Sequence, residues 1–272
     1  MAGTNSLRLT QAEAREVLSA RLEGILVGGQ ALAMWADYYG VAPPSALAAG
    51  LTSDLDFLGT RFDARRSLSR LVNTLDAAPG YREATLSDAT TNSARIWIHG
   101  FHDRRDPIGI DYLNALIGYS REDEDKLRSN AVEMTVGDIT LKLMHPIDCL
   151  LSRARNVERL PEKRGSASIA QCRLAIEVVK AYLSEVCQGG AGTRLREQLK
   201  AAERIATLAR SDAGIYLKTE FDVDVLDAVP IERIESREFR EIRWPQVRKS
   251  VAEAIETLKR QRERRRKHTK PA

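Results

Sequence analysis

Residues 27–59 read VGGQALAMWADYYGVAPPSALAAGLTSDLDFLG, and the order of signals in this stretch decides the fold. Residues 24–27 are apolar and predict a short buried strand, which Gly28 and Gly29 interrupt. Residues 30–39 follow with helical spacing that puts Ala31, Met34 and Trp35 on one face. Residues 40–51 contain Pro43 and Pro44 and read as a loop. Residues 54–58 are then a second strand. Positions i and i+2 of a strand share a face, so Asp54 and Asp56 project together while Leu55 and Phe57 point to the core.

Two adjacent carboxylates repel, and each resists ionisation because of the other. A divalent cation removes that penalty, and Mg²⁺ typically takes one or two carboxylates plus substrate phosphates. The pair therefore reads as a metal platform; the plainer alternative is a solvated strand end. Asp111 lies inside the apolar run 108–113, where a carboxylate needs a partner. On a strand beside Asp54 and Asp56 it completes a three-carboxylate cluster, suited to one or two Mg²⁺ in an in-line phosphoryl-type transfer. Gly28 and Gly29 supply the anion side. Backbone N–H groups at a strand-to-helix turn can approach phosphate closely, aided by the positive helix end.

Working outward, Thr10 and Glu13 form a T-x-x-E pattern that opens a helix to about residue 21. Residues 62–77 read as a helix with Leu68, Leu71, Val72 and Leu75 as its apolar stripe, ended by Pro79 and Gly80. Residues 95–99 and 108–113 are strands, and the acidic run 122–125 is a solvated loop. Residues 132–136 and 139–143 flank Gly137-Asp138 as a hairpin. His145 lines or caps the start of a helix that Pro146 opens, running to about residue 156. Long amphipathic helices follow at 168–186 and 193–210, joined by a Gly-rich segment at 188–192 that reads as a flexible joint. A last helix at 245–260 carries Val247, Val251, Ile255 and Leu258 in one stripe. Strands mixed with helices come first and helices alone come later. The expected class is α+β: a mixed sheet with flanking helices, then a helical C-terminal part. The expected domains are 1–144 and 145–260, followed by a basic, disordered tail at 261–272.

The composition, 43% hydrophobic and 29% charged, suits a globular chain with a sizeable core. No apolar run approaches the roughly 18 residues of a membrane span, and residues 1–18 show no apolar leader. The cytoplasm is the expected compartment, with no membrane partner. Cys149, Cys172 and Cys187 are widely spaced and read as core thiols rather than a disulfide or zinc framework. His99 and His102 are read as incidental, and Trp35, Trp97 and Trp244 as packing residues. Between Lys259 and Lys270 there are eight Lys or Arg against one Glu, a net +7. The whole chain carries +4, so the body is mildly acidic. With no aromatics, such a tail suits phosphate contact rather than base reading.

The series Val27-Gly28-Gly29, then Ser53-Asp54-Leu55-Asp56, then Asp111 resembles the nucleotidyltransferase superfamily with the polymerase-beta-like fold. Its style is most similar to the AbiEii-type proteins of bacterial toxin–antitoxin and phage-defence systems, over about residues 20–185. The resemblance implies a nucleotidyltransferase-like mixed sheet. It also implies Mg²⁺-dependent (or Mn²⁺-dependent) transfer of a nucleoside monophosphate from an NTP. Asp54, Asp56 and Asp111 would bind metal and carry catalysis. Gly28, Gly29 and Ser53 would hold the nucleotide. The acceptor would be RNA such as tRNA, or a protein, and a cognate toxin or antitoxin is an implied partner. The pattern departs from the AbiEii type after the core. Arg153 stands where a lysine is usual, and Lys163 and Arg164 are not followed by an aspartate; Gln171 occupies the next helix. Arg153, Lys163 and Arg164 remain candidates to hold phosphates. Two other functions fit the same residues: a non-catalytic NTP-binding regulatory partner, and a nucleotidyltransferase acting on a small molecule such as an antibiotic.

Overall fold

In a computed structural model, residues 8–47, 52–85, 87–88, 91–104, 106–188 and 193–268 are described. Helix α1 (Gln11–Leu18) starts at a capping box, in which Thr10 and Glu13 satisfy each other's backbone N–H. The same device, built from Thr60 with Asp63 and from Ser120 with Asp123, starts α3 (Arg61–Thr74) and α4 (Arg121–Asn130).

Seven strands form one mixed sheet: β1 (Ile25–Val27), β2 (Asp54–Leu58), β3 (Pro79–Glu83), β4 (Asn92–Ile98), β5 (Ile108–Leu113), β6 (Val132–Val136) and β7 (Ile139–Leu143). Their order is β3-β4-β5-β2-β1-β7-β6. The pairs β2–β5 and β1–β7 are parallel, and the others are antiparallel. Central β2 therefore has β1 on one side and β5 on the other. Its Leu55, Phe57 and Leu58 are buried. Phe57 stacks on Tyr112 with ring centroids 5.5 Å apart, on the face that α3 covers. Alternation sends Asp54, Asp56 and Asp111 to the opposite face.

On that opposite face lies α2 (Gly28–Tyr38), which packs against β2, α5 (Pro146–Arg159) and α6 (Ser166–Gln188). The Trp35 indole N–H donates to the Met144 carbonyl at 2.8 Å, fixing α2 to the end of β7. Further helices α7 (Thr193–Arg210), α8 (Asp212–Phe221) and α9 (Trp244–His268) continue the helical part. Buried Asp148 on α5 takes an ion pair from Arg204 on α7. One apolar cluster runs from the sheet through these helices. Among the described residues, no helix is long and apolar enough to cross a membrane.

Several expected elements differ. The acidic run at 122–125 is the first turn of α4 rather than a loop, because acidic side chains favour a helix N-terminus and Ser120 caps it. Pro79 and Gly80 do not simply end a helix; they begin the edge strand β3. Of the expected stripe on α3, Leu71 is buried and Leu68 and Leu75 pack against the core, but Val72 is exposed; Ala64 and Ser67 are buried as well. The helix α8, capped by Ser211, was not expected. The basic segment expected as a separate disordered tail continues α9 as far as His268; Arg, Lys, Glu and Gln are good helix formers and no Gly or Pro interrupts them. Residues 269–272, and residues 189–192 of the expected joint, lie outside the described residues. The cysteines are free. Burial pushes the Cys149 and Cys172 thiols up to about 12, which leaves them inert packing groups. His145 caps α5, its Nδ1 accepting from the Ile147 N–H at 3.2 Å. His102 pairs with Glu16 at 2.6 Å.

Candidate functional site

The parallel register of β2 and β5 sets Asp56 opposite Asp111 and Asp54 opposite Gly109. The antiparallel register of β1 sets Val27 opposite Asp56. The chain then turns straight from Val27 into α2, so Gly28 and Gly29 are the first two residues of that helix. Val27 makes no side-chain cap, which leaves the N-terminal amides of α2 without one. Gly28 has φ +71°, and a Cβ there would lie 2.4 Å from Asp56 Oδ2. Backbone conformation and the neighbouring carboxylate thus both demand glycine.

A cleft of about 520 Å³ opens at this point. Gly28, Gly29, Ser53 and Asp56 line its sheet side, and Arg153, Asn156 and Lys163 its helical side. Arg153 is held by the Gln171 side chain, its Nη1 donating to Oε1 at 3.0 Å. Ser53 donates to Asp54 Oδ2 at 3.0 Å. Arg164 is not brought to the cleft. Its guanidinium donates to the carbonyls of Val157 (3.2 Å) and Glu158 (2.9 Å) and lies over the Tyr216 ring, so it ties down the end of α5.

Burial raises the pKa of Asp56; Arg153 opposes this, Asp54 adds to it, and Lys163 and Arg95 oppose it. Among the described residues the Asp56 carboxylate takes no hydrogen bond or ion pair within 4 Å. Burial likewise pushes Asp111 up to about 6, against the pull of Arg95 and with Asp56 and Asp54 adding to the rise. A carboxyl raised in this way binds its proton in the folded state where the unfolded chain has already released it. Stability from this group is therefore highest below about pH 4 and declines until about pH 6. Asp111→Asn removes that decline. Its unfolding free energy, read by denaturant unfolding, should exceed the wild type's by a margin that grows from pH 4 to 6 and then levels at about 2–3 kcal/mol at neutral pH. A margin that shrinks over this window contradicts the assignment.

Two side chains at the carboxylates and one beside Arg153 have contacts that the sequence did not indicate. Arg95 on β4 lies 3.5 Å from Asp54 and 3.5 Å from Asp111. Asn92 donates to Asp111 Oδ1 at 2.8 Å. Gln171 orients Arg153. Arg95 carried one faint signal, its central place in the alternating run 92–98.

The donor set suits a hard cation: oxygen ligands only, with excess negative charge and one unpartnered carboxylate. Among the described residues, no three His, Cys, Asp or Glu side chains converge closely enough to hold a metal ion by themselves. A site of two carboxylates completed by phosphate oxygens fits both facts. Uncapped amides, Arg153 and Lys163 around one cleft suit the phosphates. No protein-family model matches the sequence, and no curated protein matches it.

Proposed function

We propose that the chain is an Mg²⁺-dependent nucleotidyltransferase of AbiEii-like type that moves a nucleoside monophosphate from an NTP to an acceptor. The observation that carries the proposal is the in-register Asp56–Asp111 pair beside the uncapped Gly28-Gly29 helix start, with Arg153 and Lys163 across one cleft. Asp54 and Asp56 would hold Mg²⁺ or Mn²⁺ with phosphate oxygens completing the set and Asp111 beside them; the ion would neutralise phosphate charge during transfer. Gly28 and Gly29 donate backbone N–H groups to the triphosphate, and Arg153 and Lys163 balance its charge. Ser53 orients Asp54.

In the reaction, an acceptor hydroxyl oxygen bonds to the α-phosphorus. The bond from that phosphorus to the oxygen of the β-phosphate breaks, and pyrophosphate leaves with the electron pair. The hydroxyl proton passes to the Asp111 carboxylate, which lies level with Asp56 on the neighbouring strand. The acceptor is RNA such as tRNA, or a protein. The net +7 at 259–270 favours RNA, held through its phosphates with strong salt dependence. A toxin–antitoxin or phage-defence setting, with a cognate partner, follows from the same resemblance.

Calorimetric titration with each of the four NTPs and Mg²⁺ tests the binding half. Arg153→Ala and Lys163→Ala should each weaken the preferred NTP by about tenfold, the worth of one charge-assisted contact. Affinities unchanged in both variants would remove the phosphate assignment. One observation favours a second reading, NTP binding without catalysis: Arg95 already stands as counter-ion between Asp54 and Asp111. That reading predicts binding with no turnover on any acceptor.

A further inference from the structure

Arg95 occupies the position between two of the three carboxylates, and the sheet is built to hold it there. It pairs in register with Asp111 across β4 and β5. Its guanidinium reaches Asp54 Oδ1 and Asp111 Oδ1, each at 3.5 Å. A Cβ at Gly109 would lie 2.5 Å from Asp54 Oδ1 and 2.6 Å from Arg95 Nη2, so only a residue without a side chain leaves room for this contact. Asn92 donates to the same Asp111 oxygen, which therefore takes one hydrogen bond and one ion-pair contact from β4. Asp56 differs, because its carboxylate has no such partner.

These contacts bear on how a cation enters. A divalent ion arriving alone meets a like charge already seated between Asp54 and Asp111. To take those oxygens it must displace the guanidinium from both carboxylates. A triphosphate arriving with the ion changes this. Phosphate oxygens match the planar fork of an arginine and offer it a new partner.

Building on the nucleotidyltransferase reading, we propose that Arg95 is a positioning residue that makes cation entry depend on the triphosphate: it closes Asp54 and Asp111 to a lone divalent ion and moves to phosphate when the nucleotide arrives. Metal and nucleotide then bind as a unit, and the chain does not hold metal between turnovers. The role differs from a structural one in sign. If Arg95 merely braced the cluster, its loss would weaken metal binding; as a resident competitor, its loss strengthens it.

Mn²⁺ binding by the full chain, followed by water-proton relaxation enhancement, reads this directly and separates ion on protein from ion on free nucleotide. The samples are wild type, Arg95→Gln, Arg95→Lys and Asp56→Asn, each with and without an equimolar mixture of the four α,β-methylene NTPs. Wild type should bind Mn²⁺ weakly alone and more tightly with the analogues. Arg95→Gln should bind Mn²⁺ alone about tenfold more tightly than wild type, the order expected for removing one like charge at a partly exposed site. Arg95→Lys should stay near wild type for Mn²⁺ alone and lose most of the gain from the analogues. Equal or weaker binding by Arg95→Gln overturns the proposal. If the analogues still bring Mn²⁺ to wild type but not to Asp56→Asn, the metal assignment survives that failure. No Mn²⁺ binding in any sample overturns both.

Discussion

Asp56→Asn should leave a folded protein that melts at a higher temperature than the wild type and transfers nucleotide about a thousandfold more slowly. Both halves come from one geometry. The Asp56 carboxylate lies on the central strand with the Val27–Gly28 turn against it, and burial raises its pKa. Arg153, Lys163 and Arg95 moderate this from a distance, and Asp54 makes it worse. A neutral amide of the same shape removes a partly buried charge and its repulsion with Asp54. The fold gains, while the group assigned to metal and phosphate chemistry is lost. Thermal melting and a transfer assay on the same preparation check the two halves. A variant that melts lower than the wild type would mean that Asp56 has a stabilising partner. A variant that keeps full activity would mean that Asp56 is outside the chemistry.

Gly28→Ala is expected to be damaging for two separable reasons. The left-handed backbone at φ +71° costs a residue with a Cβ about 1–2 kcal/mol. The new methyl also falls 2.4 Å from Asp56 Oδ2 and forces that side chain to turn. The first cost persists whatever stands at position 56; the second does not. In an Asp56→Ala background only the contact with the Cβ at position 56, 3.2 Å away, remains, so Gly28→Ala should cost little beyond the backbone share and the double mutant should be more stable than additivity predicts. Denaturant unfolding of the four proteins measures the coupling. Strict additivity would place the strain elsewhere. Activity of Gly28→Ala should fall with the displaced carboxylate even at temperatures where the variant is fully folded.

Part of this arrangement was legible in the residues themselves. Strands β2, β5, β6 and β7 have the bounds that apolar alternation and the Gly137-Asp138 turn indicated. The grouping of Asp54 with Asp56 follows from the two-residue period of a strand. What periodicity does not give is which strand lies beside which. That β5 pairs with β2, bringing Asp111 level with Asp56, is a fact of topology over a separation of more than fifty residues. Arg95 was hidden because a charged residue on an alternating strand looks like any solvated one. Only the register with Asp111 and the missing side chain at Gly109 give it a role. Arg164 misled for a different reason: it adjoins Lys163, but Lys163 lines the cleft at the end of a short turn while Arg164 reaches back to the last carbonyls of α5. Helix α4 was hidden because an acidic run resembles a solvated loop, whereas in the fold the Ser120–Asp123 cap and the acidic first turn start the helix. Strand β3 is polar, lies at the sheet edge and carries no apolar alternation to betray it.

The most direct measurement is transfer from NTPs labelled at either the α- or the γ-phosphate, with Mg²⁺, total bacterial RNA and Asp56→Asn as control. The account predicts that α-label enters RNA, or the protein fraction, only with the wild type, and that γ-label leaves in pyrophosphate. Transfer of γ-label, or α-label transfer by Asp56→Asn equal to wild type, would contradict it.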